Sequence, residues 1–224
     1  MTEEKLRKQI VHSSNFNDET SKLLAQVRPL PKPQCRMAIG LAGISIEHAD
    51  SIRMLLFTLH LTSAMALLRL QYESLVRAMW VGYVANEQWI ATNDTPLTEE
   101  SIPFKEGLSV ETCLKHLEKI AEVPRSAYFS LMQFHEQSWK ALCSYVHSGK
   151  HPLKRTEGGY PVHLLITISQ HSTQLMTMAA STAIAMAGNQ PLMDEFMKLQ
   201  QKHKHCFAPY IPPAPTSNVE LELL

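Results

Sequence analysis

Gly158-Gly-Tyr-Pro-Val-His-Leu-Leu-Ile-Thr-Ile-Ser-Gln-His-Ser-Thr-Gln-Leu-Met-Thr-Met-Ala-Ala-Ser-Thr-Ala-Ile-Ala-Met-Ala-Gly-Asn-Gln-Pro-Leu-Met193 contains no Asp, Glu, Lys or Arg. An uncharged stretch of this length invites reading as a membrane span. However, Thr167, Ser169, Gln170, His171, Ser172, Thr173, Gln174 and Thr177 interrupt it, and each is costly in hydrocarbon. Leu165, Ile168, Ser172, Leu175, Ala179, Thr182 and Met186 recur at three and four, one stripe of a helix. The Ala, Ser and Thr along it let neighbours approach closely, so the segment predicts the central, buried helix of a soluble bundle.

Working outward from it, Gly188 stops that helix and Pro191 opens a last one to about residue 205. The four prolines within 207–224 predict a loose, disordered tail. On the other side, 148–160 reads as a loop, too long for a simple helix turn. Before it, 126–147 predicts a helix carrying Leu131, Phe134, Trp139, Leu142 and Val146. Thr98 or Ser109 would cap another, ending before Pro124, with Val110, Cys113, Leu114 and Leu117 on its apolar side. Region 34–93 is helical throughout and long enough for two helices, broken near 48–51 or near 61–63. Its second half shows the stripe Leu61, Met65, Leu68, Tyr72, Leu75, Met79, Tyr83. Pro29, Pro31 and Pro33 form a linker, preceded by two short helices over 3–12 and 18–27, with Asp18 as an N-cap. The expected architecture is all-α. An up-and-down bundle of about five or six helices spans 34–206, with an N-terminal helical extension and linker at 1–33 and the tail at 207–224.

The 224 residues, 45% of them apolar, suffice for a core without staples. Lys and Arg number 21 against 21 Asp and Glu, and a net charge of zero disfavours binding nucleic acid by bulk electrostatics. That zero averages uneven parts: a basic segment at 150–155, the uncharged helix after it, and acidic Glu220 and Glu222. Cys35, Cys113, Cys143 and Cys206 lie far apart with no CxxC pair, and Met1-Thr-Glu-Glu-Lys-Leu-Arg-Lys8 holds no apolar run. Together these predict a cytoplasmic chain with reduced thiols.

Three constellations are candidates for chemistry. Arg69, Glu73 and Arg77, spaced by four, are either a surface ladder of ion pairs or, bordering Leu68, Tyr72 and Val76, a partly buried cluster that does work. Ser144 and His147 stand one turn apart at a helix end, followed by Lys150, His151, Lys154 and Arg155. They are either a helix stop, with His147 on free carbonyls and Gly149 reversing the chain, or a general acid or base beside cations that hold a phosphate. His203-Lys-His205-Cys206 hints at metal, but no matching Cys or His pair stands at the usual spacing elsewhere, so neither metal nor cofactor is expected. No HExxH, Walker loop, GxGxxG or GxSxG occurs.

The run Leu61-Thr-Ser-Ala-Met-Ala-Leu-Leu-Arg69-Leu-Gln-Tyr72-Glu73-Ser-Leu-Val-Arg77-Ala-Met-Trp80, with Ser144-Tyr-Val-His147-Ser-Gly149 later, resembles a group of bacterial helical proteins. That group is distantly similar to AbiV-type abortive-infection proteins and to the HEPN superfamily of helical toxins and ribonucleases. The resemblance covers roughly residues 35–187 and implies a phage-defence or toxin-type protein. Its implied activity is metal-independent endoribonuclease cleavage by a homodimer, or by a complex with a defence partner protein. In that reading Arg69, Glu73 and Arg77 lie on the second helix and are faced by Ser144 and His147 from the fourth. His147 acts as general acid or base, Arg69 or Arg77 stabilises the phosphorane, and Lys150, His151, Lys154 and Arg155 contact RNA. The sequence departs from the HEPN pattern in one respect: no Arg precedes His147 on its own helix after Arg125. The alternative is a non-catalytic interaction or regulatory subunit whose Arg, Glu and His cluster is structural.

Overall fold

The computed structural model describes residues 3–96 and 108–207; the Thr98 cap and the tail from 208 onward lie outside them. Among the described residues the chain forms nine α-helices and no strand, more helices than the five or six expected. They are α1 Glu3–Leu24, α2 Pro33–Phe57, α3 Leu61–Tyr83, α4 Glu87–Asn93 and α5 Val110–Leu117, then α6 Arg125–Val146, α7 Lys150–Gly158, α8 Val162–Met186 and α9 Gln190–Lys202. A single 3-10 turn, Lys204–Cys206, follows α9.

Local chemistry sets most boundaries as expected. Ser109 caps α5 by accepting the Thr112 N–H at 3.2 Å, and Asn189 caps α9 by accepting from Leu192 at 3.1 Å. Region 34–93 holds three helices and not two: one break falls at 58–60, beside the second of the two expected positions, and another at 84–86, while 48–51 runs unbroken through α2 with Ala49 buried. Leu59 takes a left-handed φ of 61°, and the His60 N–H reaches back to the Leu55 carbonyl at 2.8 Å, which closes the end of α2.

Two expectations fail, each for a traceable reason. The two short N-terminal helices are one continuous helix. The polar side chains at its middle, which read as a break, bond sideways to other helices. Ser13 Oγ accepts from Thr173 at 3.1 Å, and Asn17 Nδ2 donates to Asp50 at 2.6 Å. The expected loop at 148–160 contains α7. The N-cap position is Gly149, which has no side chain to offer, and the preceding helix supplies the cap instead: Ser144 Oγ accepts the His151 N–H at 3.1 Å. Gly159, at φ 71°, ends α7.

The heaviest packing joins α2 to α3, while α8 packs on α1, α2, α3 and α9 and links two cores. Its Leu165, Ile168, Leu175, Ala179 and Ala183 join a main core with Leu68, Tyr72, Leu75, Leu131 and Phe134 of α3 and α6. Its Met176, Ala180 and Ile184 join a second core with Phe16 of α1 and Leu192, Phe196 and Leu199 of α9. Burying each large side chain contributes about 1.5–3 kcal/mol before entropy is subtracted. Thus α1 is part of the packed molecule, with Phe16 fully buried. Polar residues that argued against a membrane span find partners in the bundle, as where Ser172 Oγ donates to Gln71 Oε1 at 2.8 Å and the Gln71 amide returns to the Ser172 carbonyl at 2.8 Å. Among the described residues no helix is long and apolar enough to cross a membrane.

Candidate functional site

Arg69, Glu73 and Arg77 form the expected ladder, and it is set into the bundle. Arg77 Nη2 lies 2.9 Å and Arg69 Nη2 3.5 Å from the Glu73 carboxylate, whose side chain is only 20% exposed. The Arg69 guanidinium also sits 4.8 Å over the Trp139 ring of α6, a cation–π contact. The Nε atoms of both arginines are buried with no hydrogen-bond partner among the described residues. Two helices complete the cluster with residues the sequence did not single out. Glu111 opens α5, and its carboxyl is held below the usual range. Its own backbone N–H is the main cause, helped by the Ser109 hydroxyl, by His135 and by the Trp139 indole N–H against the opposing effect of burial. His135, one turn before Trp139, stacks on it at 5.3 Å, and burial pushes its pKa down against the pull of Glu111 and Glu136. The i, i+4 pair His135–Trp139 was the available signal, but only knowledge of the facing helix makes it informative.

Both guanidiniums are thus engaged by Glu73, and the adjoining α5–α6 group adds a second carboxylate and an imidazole biased to its neutral form. Such a balance stabilises a buried cluster and gives a polyanion little to bind. Tyr72 beneath it donates to the Leu131 carbonyl at 3.0 Å, and burial raises its phenol far out of the range of proton exchange. Cys113 nearby is pushed up to about 11 by burial and is no nucleophile at neutral pH.

Ser144 and His147 stand elsewhere. His147 is exposed at the C-cap of α6, its N–H on the Cys143 carbonyl at 3.2 Å. Ser148, at φ 50°, and not Gly149, takes the left-handed turn. Gly149 is needed for a different reason, since a Cβ there would lie 2.6 Å from Ser144 Oγ. Of the expected RNA contacts, Lys150 and His151 are exposed on α7, Lys154 pairs with Glu157 at 2.7 Å, and Arg155 donates to the Gly159 carbonyl at 3.3 Å. His147 follows Trp139 by eight positions, about 12 Å of helix axis. No hydrogen bond or ion pair joins the two groups among the described residues. The structure therefore brings Arg69, Glu73 and Arg77 together, brings Ser144, His147 and α7 together, and keeps the two sets apart.

A groove of about 920 Å3 lies between α3, α6, α8 and α9. Met79, Met178, Met193, Met197 and Phe207 line it, and Lys204 is its one charged lining residue among those described. A smaller cavity of about 340 Å3 lies beside Arg77, bounded by Met37, Leu41, Trp80 and Trp89.

Residues 42–209 match the family described as a family of unknown function (DUF6988), and the chain belongs to it. No curated protein and no solved structure matches the chain.

Proposed function

We propose that this member of the DUF6988 family works by binding, as a non-catalytic helical interaction subunit of the defence type that the sequence resemblance implies, with its Arg–Glu–Arg cluster as an internal clamp. One observation carries the reading: the side chains expected to act together are already engaged separately. Glu73 holds both arginines, and Ser144 Oγ caps α7, with His147 about 12 Å of helix beyond Trp139. The surface available for recognition is the methionine-lined groove. Unbranched, polarisable methionines adapt to varied apolar shapes, and a nearly uncharged trough suits the apolar face of a partner's amphipathic helix.

The endoribonuclease reading draws on one feature, the exposure of His147 beside Lys150 and His151. Its weakness is that the guanidiniums expected to stabilise a phosphorane, Arg69 and Arg77, are committed to Glu73. The His147→Ala variant decides between the two. Under the binding reading it lowers the unfolding free energy by no more than about 1 kcal/mol, as loss of a cap or dipole partner does. Purified wild-type and variant protein should then be equally inert towards labelled RNA. Cleavage by the wild type that disappears in His147→Ala would overturn the binding reading.

A further inference from the structure

We infer that His203, His205 and Cys206, completed by His12 of α1, form a zinc-binding site at the end of α9. This goes beyond the proposed function and does not depend on it. The donor atoms of His203, His205 and Cys206 all lie within 4.8 Å of one another. The chain reaches this state because it reverses after α9: the Cys206 N–H returns to the His203 carbonyl at 2.9 Å, folding the four residues into one tight turn. Gln9 of α1 then donates to the Cys206 carbonyl at 3.0 Å and fixes the turn against α1. That docking sets the His12 ring 4.5 Å from the His205 ring at 85°.

The strongest mark of a missing ligand is on His203. The residue is only 7% exposed, its Nε2 is 3.1 Å from Glu19 Oε1, and its Nδ1 is buried with no hydrogen-bond partner among the described residues. A carboxylate on Nε2 places the ring proton there and leaves an unshared pair on Nδ1. An imidazole oriented by a carboxylate on its far nitrogen is how proteins prepare a histidine for a metal. Glu19 is itself held by Lys202 at 2.7 Å.

Three imidazoles and a thiol make a nitrogen and sulfur set of borderline softness, which suits Zn2+ and excludes Mg2+ and Ca2+. Donors around a tetrahedral zinc stand roughly 3.4 Å apart, so His203, His205 and Cys206 must contract by about 1.4 Å or less, a side-chain adjustment, and His12 joins them by turning its ring from the face of His205. On binding, a Zn–S bond replaces the S–H bond of Cys206 and the proton passes to water. His12 and His205 are exposed, which leaves the ion a way in, while His203 and Cys206 are buried. The bound ion would staple α1 to the end of α9.

The test uses the full chain, stripped of metal and titrated with Co2+ and then Zn2+. The site predicts one Co2+ per chain, a thiolate-to-cobalt charge-transfer band in the near ultraviolet, tetrahedral d–d bands in the visible, and displacement of all three by one equivalent of Zn2+. Cys206→Ser should abolish the charge-transfer band. His205→Ala and His12→Ala, at exposed positions that spare the fold, should each weaken Zn2+ at least about tenfold in competition with a chromogenic chelator. Glu19→Gln, altering only the group that positions His203, should weaken it by about 10–100-fold. Weak octahedral cobalt bands without charge transfer, or a Zn2+ affinity unchanged in His205→Ala, would overturn the site. An affinity unchanged in His12→Ala would overturn the assignment of the fourth ligand.

Discussion

Glu73 decides what the charged cluster is. An exposed i, i+4 ladder contributes a few tenths of a kcal/mol per pair, and deleting its middle member would scarcely matter. Here Glu73 is the common partner of two arginines whose Nε atoms are buried, and Arg69 is further covered by Trp139. Removing one partner of a buried pair leaves an uncompensated charge. Glu73→Ala should therefore lower the unfolding free energy in urea by about 2 kcal/mol, less than for a fully enclosed pair because water still reaches one edge. Adding Arg69→Met to Glu73→Ala should recover part of that loss, since the stranded cation goes with it. A loss of only a few tenths in Glu73→Ala would return the cluster to a surface ladder. The spacing of these three residues was legible in the sequence. Their burial was not, because it depends on neighbours from other helices, as where Trp139 of α6 covers Arg69.

Helices here end in ways that single residues do not announce. Both α2 and α6 turn through a left-handed residue that is not glycine, Leu59 at φ 61° and Ser148 at φ 50°. Such a conformation costs an ordinary side chain of the order of 1 kcal/mol or more. Leu59 is 68% exposed and contributes little packing in return. Leu59→Gly should raise the unfolding free energy measured in urea by roughly 0.5–1 kcal/mol once the extra freedom glycine gives the unfolded chain is subtracted. Destabilisation instead would mean that the Leu59 side chain covers the hairpin between α2 and α3. The same concealment explains the two misread elements. Ser144 caps α7 from the previous helix, and Ser13 and Asn17 keep α1 continuous by bonding to α8 and α2. In the sequence Ser144 read as a candidate beside His147, and Ser13 and Asn17 fell between two short helices, since a hydrogen bond to a distant helix leaves no trace in spacing. What did show was periodicity: the α3 stripe and the uncharged α8 were both correctly placed because burial along one face is a local pattern.

For the whole molecule, the groove is the test of whether the bundle is built to bind. A stable helical protein has no physical need of a concavity of about 920 Å3 lined with methionine, and Met197 at its edge is 60% exposed. If the groove is open in solution, the apolar anionic dye anilinonaphthalene sulfonate should bind it, its rings against Met178 and Met193 and its sulfonate towards Lys204. Far-UV circular dichroism should stay helical throughout, which separates such binding from the loose packing that also attracts the dye. Met197→Glu removes apolar area and sets a negative charge beside the sulfonate, so dye affinity should fall about tenfold or more. Stability should move by less than about 0.5 kcal/mol, because the side chain is largely solvated already. Dye binding that is absent from the wild type, or insensitive to Met197→Glu, would show the groove to be closed and would remove the surface on which the binding reading relies.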